Sequence, residues 1–121
     1  LTSRIEVVDG EAGWALAEPL DRECYPPETM ATVIWRDVTW AHADKRLVVH
    51  GESGIICHVG LYFRDATLDG GAVCIAGIGG VMTSPRARRA GHAGNALRRA
   101  ADVMRGHDID FGLLFCEPHN V

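Results

Sequence analysis

The sequence is poor in several features, and each absence excludes a class of protein. No apolar run approaches the length a bilayer span needs, so no membrane partner is expected. The four cysteines, Cys24, Cys57, Cys74 and Cys116, have no C-x-x-C spacing and no secretory signal ahead of them. That pattern points to free thiols in a reducing cytoplasm rather than to a disulfide framework. Cys116 and His119 have a metal-like spacing, but no second ligand pair accompanies them, so no metal is expected. Internal repeats and low-complexity segments are missing. Gly77 and Gly79 lack the third glycine of a dinucleotide fingerprint, Met82 standing in its place, and they fall inside a strand pattern rather than after one. The arginine-rich segment has no interleaved aromatics, which counts against nucleic acid as a partner.

What is present fits one domain. The chain has 121 residues, 47% of them apolar, enough for a real core. The net charge of −4 is mild but unevenly spread. Arg86, Arg88, Arg89, Arg98, Arg99 and Arg105 are six of the twelve basic residues, and only Asp102 opposes them within that span. The rest of the chain is acidic, a distribution that suits one local anionic ligand better than a nucleic-acid coat. The chain begins at Leu1 rather than Met, which reads as processing or a fragment.

Weak alternation over Arg4 to Val8 predicts a first strand with Ile5 and Val7 on one face. Trp14, Ala17, Leu20 and Cys24 predict a helix between Gly13 and Tyr25, with Pro19 expected to kink it or open a later one. Pro27 is expected to start a short helix reaching about Asp37 and carrying Met30, Val33 and Ile34, before a loop from Val38 to Asp44. An antiparallel meander follows: Arg46 to His50, Ile55 to Leu68 and Ala72 to Thr83, with turns at Gly51–Gly54 and Asp69-Gly70-Gly71. A hairpin centred on Gly70 places Cys57 opposite Thr83 and Cys74 opposite Ala66. Gly77, Gly79 and Gly80 in one strand require a bulge or a close neighbour. Ser84-Pro85 ends that strand, and a basic turn leads at about Gly91 into a helix. Its apolar face is expected to hold Ala93, Leu97, Ala100, Ala101 and Met104, and Gly106 to stop it. Ile109 to Cys116 then reads as a strand parallel to the glycine-rich one, joined by a right-handed crossover.

Arg88-Arg89-Ala90-Gly91-His92-Ala93 matches R-x-x-G-x-A, and so resembles the coenzyme A pyrophosphate loop of the GNAT superfamily of N-acetyltransferases. The flanking order is similar too: two early helices, a three-strand meander, loop and helix, then a fifth strand. The Cys57-His58-Val59-Gly60-Leu61 strand and the long hairpin resemble the 2′-aminoglycoside acetyltransferases and nodulation acyltransferases. The resemblance implies an α/β (α+β) fold: a mixed, mostly antiparallel twisted sheet with flanking helices and a strand–loop–helix–strand cofactor unit. It covers nearly all of 1–121 as a single acetyltransferase-like domain, expected to be incomplete at its C-terminus.

The same resemblance implies acetyl transfer from acetyl-CoA to a primary amine of a small molecule or peptide, releasing coenzyme A. Arg86, Arg88, Arg89, Ala90, Gly91, His92, Ala93 and Gly94 would hold the phosphates, Arg86 reaching the 3′-phosphate. Val81 and Thr83 would pair with the pantetheine arm at a bulge near Gly79-Gly80, and the amide of Val81 or Met82 would polarise the thioester carbonyl. Several relatives carry a glutamate base where this chain has Gly79 and Gly80. Many also supply an acid from an aromatic-tyrosine segment that would begin where this chain stops. Glu117 and His119, directly after the fifth strand, are the base candidates, with an ordinary loop as the alternative. His58 and Tyr62 share a strand face with Gly60 and Arg64 that reads as packing first and acceptor-site lining second. Trp35, Trp40, Glu28 and Asp37 would suit a cationic amine, or else be core and loop. A homodimer is compatible with the likeness. The competing functional readings are a non-catalytic acyl-CoA-binding or interaction module, and a nucleic-acid-binding domain.

Overall fold

A computed structural model of the chain describes residues 4–114. In order, they form β1 (Arg4–Asp9), α1 (Trp14–Cys24), α2 (Pro27–Met30), β2 (Lys45–Gly51), β3 (Gly54–Leu68), β4 (Gly71–Thr83), a 3₁₀ turn (Pro85–Ala87), α3 (His92–Gly106) and β5 (Phe111–Leu114). The five strands make one sheet in the order β1-β2-β3-β4-β5. The first three pairings are antiparallel, and β4 with β5 is parallel, as the strand–helix–strand reading predicts.

Strand parity sorts the side chains onto two faces. On one, Leu47, Val49, Cys57, Val59 and Leu61 are buried against Ala96, Ala100 and Val103 of α3. On the other, Arg46, Val48, His58 and Met82 are buried, and α1 brings Ala17 and Leu20 to that side. The buried stripe of α3 runs through Ala96, Ala100 and Val103, with Ala93, Leu97 and Met104 at its margins. The predicted face was therefore rotated: the spacing of i, i+4 and i+7 centres it on Ala96 rather than toward Ala101. α3 ends at Gly106, as expected. The left-handed turn falls at Asp108, with φ of 55°.

Two early expectations change. α1 is one helix across Pro19, so the proline does not open a later one; it is exposed, and the Ala15 carbonyl that loses its donor can be met by water. The second helix stops at Met30 and gives way to turns. Thr32, Val33 and Ile34 are all β-branched, and Ile34 is 95% exposed, so neither propensity nor burial sustains a helix there.

The β3–β4 register refines the hairpin. The turn is the two-residue Asp69-Gly70, both with positive φ, so Cys74 pairs with Asp65 rather than Ala66. Cys57 nonetheless faces Thr83 as expected, because β4 gains one residue at a bulge between the two points. Cys24, Cys57 and Cys74 are all free thiols.

Candidate functional site

The bulge lies where the three glycines predict a special feature. His58 pairs with Met82 and Gly60 with Gly79, so Val59 alone faces both Gly80 and Val81. Gly80 is left-handed, with φ of +57°. Gly79 has a different reason to be glycine: a Cβ there would meet the Tyr62 ring at 3.3 Å, and one at Gly60 would meet the same ring at 3.4 Å. Tyr62 thus lies across the strands beside the bulge.

Beneath the bulge is a chain of buried polar groups. The Gly80 carbonyl accepts from His58 Nδ1 at 2.7 Å. On the ring's other side, Arg46 donates to His58 Nε2 at 3.2 Å. Arg46 also donates to the Gly10 carbonyl at 2.6 Å and to His42 Nδ1 at 3.2 Å, and its guanidinium stands 5.0 Å from the Trp14 ring centre. Burial pushes the His58 pKa down, and the neighbouring Arg46 charge adds to the shift. The ring is therefore held neutral.

After β4 the chain turns sharply. Ser84 caps the 3₁₀ turn, its Oγ accepting from the Arg86 amide at 3.3 Å, with Pro85 in the first position. Ser84 is fully buried and its hydroxyl donates to Glu23 at the end of α1. Glu23 also pairs with Arg86, at 3.3 Å. The Ser84 hydrogen bond, and after it Arg86, hold the Glu23 carboxyl below its usual pKa. Arg88 Nε donates to the Thr83 carbonyl at 3.1 Å, folding the basic turn back onto the strand end.

The turn then enters α3 through left-handed Arg89, φ 65°, and Gly91, φ 81°. The first-turn amides of His92, Ala93 and Gly94 have no intrahelical acceptor, and no side chain caps them. A Cβ on Gly91 would meet nothing within 4 Å, so the mouth of this turn is open. Uncapped amides, the positive end of the helix and exposed Arg88 and Arg89 together form an anion cradle, and its residues fit a pyrophosphate.

The structure brings the expected donor residues into one continuous path. Val81, Met82 and Thr83 end β4, and residues 84–91 form the turn that delivers Ala90, Gly91, His92, Ala93 and Gly94 to the helix start. Met82 is buried, so only its backbone can face a ligand, whereas Val81 is partly exposed. Arg86 is engaged by Glu23 and, at 3.5 Å, by Ser53. Glu117, His119 and Cys116 lie outside the described residues. A cleft of about 230 Å³ lined by Phe63, Arg64, Asp65, Cys74, His107 and Ile109 contains no residue of the turn or bulge. Sequence reasoning missed Glu23, Ser84 and Arg46. Ser84-Pro85 carries a capping signature that could have flagged the turn, whereas Glu23 and Arg46 carry no local signal.

A family model described as an acetyltransferase (GNAT) domain matches residues 14–117. No curated protein matches the chain significantly. Among solved structures, an aminoglycoside acetyltransferase from an uncultured soil metagenomic sample, in complex with sisomicin, superposes with a TM-score of 0.72 at 9% identity. That match covers 98% of this chain and 80% of that one. Glucosamine-6-phosphate N-acetyltransferase from Arabidopsis thaliana matches with a TM-score of 0.68 at 14% identity, over 99% and 86% of the two chains. An aminoglycoside N-acetyltransferase in complex with CoA gives 0.69 at 11% identity, over 98% and 80%. At these identities the superpositions speak to the fold.

Proposed function

The chain belongs to the GNAT acetyltransferase family, and from that premise we propose that it moves an acetyl group from acetyl-CoA to a primary amine of a small molecule or peptide. The observation that carries this reading is the uncapped start of α3, entered through left-handed Gly91 and flanked by Arg88 and Arg89, directly after a bulged strand. Bound acetyl-CoA supplies the activated thioester. The chain's own part is to bind and orient. The amides of His92, Ala93 and Gly94 receive the pyrophosphate, with charge from Arg88 and Arg89. Arg86, held by Glu23 and, at 3.5 Å, by Ser53, shapes the turn and exchanges the long Ser53 contact for the 3′-phosphate. The ends of β4, at Val81 and Thr83, pair with the pantetheine arm, and the Val81 or Met82 amide donates to the thioester oxygen. Glu117 and His119 are our candidates for taking the ammonium proton.

Solved relatives bound to CoA or to sisomicin support this choice of donor and of an amine acceptor by analogy. The acceptor itself is a matter of site chemistry that a shared fold does not transfer. Replacing both Arg88 and Arg89 with alanine should raise the Kd for coenzyme A by about ten- to a hundredfold, as expected for losing charge-assisted phosphate contacts. The variant should stay folded, losing only a few degrees of Tm with the exposed Arg88–Thr83 bond. Calorimetric titration checks this, and an unchanged Kd would refute the cradle. Thiol release across a panel of aminoglycosides, polyamines and peptides then distinguishes an enzyme from a coenzyme A binder.

A further inference from the structure

The Gly80 carbonyl and the Val81 N–H belong to the same peptide unit. No cis peptide is found among the described residues, so that N–H leaves the edge of the peptide plane opposite the carbonyl oxygen. His58 Nδ1 sits 2.7 Å from the oxygen, and the Val81 N–H therefore points away from His58. Rotation of this peptide changes ψ of Gly80, the residue with the widest backbone freedom. The His58 contact is what removes that freedom. A carbonyl that accepts a hydrogen bond also makes its own N–H a stronger donor.

The direction of the His58 contact is decided by Arg46. A guanidinium has no acceptor and keeps its proton. Its donation to Nε2 leaves Nδ1 as the protonated nitrogen, so the ring can only donate to Gly80. His58 is 2% exposed and Arg46 is 4% exposed, so water does not compete. Among the described residues Arg46 makes no ion pair. Its hydrogen-bond partners are the Gly10 carbonyl, His42 and His58, beside the Trp14 ring. A buried cation with only neutral partners is expensive to hold, and its directed effect here is the tautomer of His58.

We propose that His58, locked as its Nδ1–H tautomer by Arg46, is a positioning residue that fixes and polarises the Gly80–Val81 peptide, presenting the Val81 N–H to the acyl carbonyl of the donor thioester. The proposal rests on the function proposed above for the identity of what that amide meets.

Two measurements test it. The first uses the ligand-free protein: long-range proton–nitrogen NMR of the His58 ring should show a neutral Nδ1–H tautomer at about pH 7.5. An Nε2–H tautomer, or a charged ring at that pH, overturns the proposal. The second is kinetic. His58→Leu removes the donor and should lower kcat by about ten- to a hundredfold, with KM for acetyl-CoA and Kd for coenzyme A held within about twofold. His58→Asn places an amide N–H near the position of Nδ1 and should recover part of the loss. An unchanged kcat in His58→Leu, or an equal loss in both variants, overturns the proposal. If His58→Leu does not fold, the tautomer and His58→Asn decide the matter. Failure of the proposed function looks different: the parent protein would bind no coenzyme A, and this inference would fall with it.

Discussion

A buried neutral histidine makes stability sensitive to mild acid. The folded pKa of His58 is lowered, chiefly by burial, while the unfolded ring titrates near 6.5. As pH falls below that value the unfolded chain takes up a proton that the folded one refuses, so stability declines. One such proton contributes at most about 1.4 kcal/mol per pH unit. Urea denaturation from pH 7 to pH 5 should show this slope in the parent protein and its loss in His58→Asn. Glu23 acts in a separate, lower window. Its folded pKa is depressed below 4.5, so its contribution is complete above that value and is lost as pH falls through the folded pKa. His58 illustrates what one residue's context hides. Its strand face was legible from alternation, but its partners are the Gly80 carbonyl across a bulge and an arginine on the neighbouring strand. Both contacts depend on register, which a run of residue types does not specify.

At the scale of elements, the bulge joins strand geometry to the site. Gly80→Ala should destabilise the protein by about 1–2 kcal/mol, the cost of a left-handed non-glycine residue. The new Cβ would also meet His58 Cε1 at 3.2 Å and Nδ1 at 3.4 Å, pressing on the ring that holds the peptide. Denaturant titration measures the first effect, and a fall in kcat beyond that of a control such as Gly106→Ala measures the second. The glycine run was legible as a signal, and so was the hairpin, since Asp69-Gly70 suits a tight turn. The one-residue difference between Cys74–Asp65 and the restored Cys57–Thr83 pairing follows from the bulge itself. The second helix was misjudged for the opposite reason. Met30, Val33 and Ile34 have helical spacing, but Met30 and Val33 are only half-buried and Ile34 is exposed, and periodicity does not report how far a partner covers a face.

Across the whole molecule, charge is segregated: an acidic chain carries one arginine cluster at the end of one helix, beside the bulged strand. The strand–turn–helix–strand order that creates this placement is local in sequence and was legible. The brace beneath it was not, because Glu23 reaches Ser84 and Arg86 across 61 and 63 positions. That brace ties α1 to the turn, so ligand binding at the cradle should stabilise the domain as a unit. At a hundred times its Kd, coenzyme A should add about 2.7 kcal/mol, a Tm rise on the order of 10 °C for a domain of this size. Because Arg88 and Arg89 are exposed, their attraction is screened by salt. The Tm rise at fixed coenzyme A should therefore shrink between low salt and about 0.5 M, and shrink less in the Arg88→Ala, Arg89→Ala double variant. An oligonucleotide of equal phosphate concentration should give little shift at any salt, since the acidic remainder of the chain repels an extended polyanion that a compact pyrophosphate avoids. A thermal scan with both ligands measures the difference. A larger shift with the oligonucleotide would assign the arginines to nucleic acid instead.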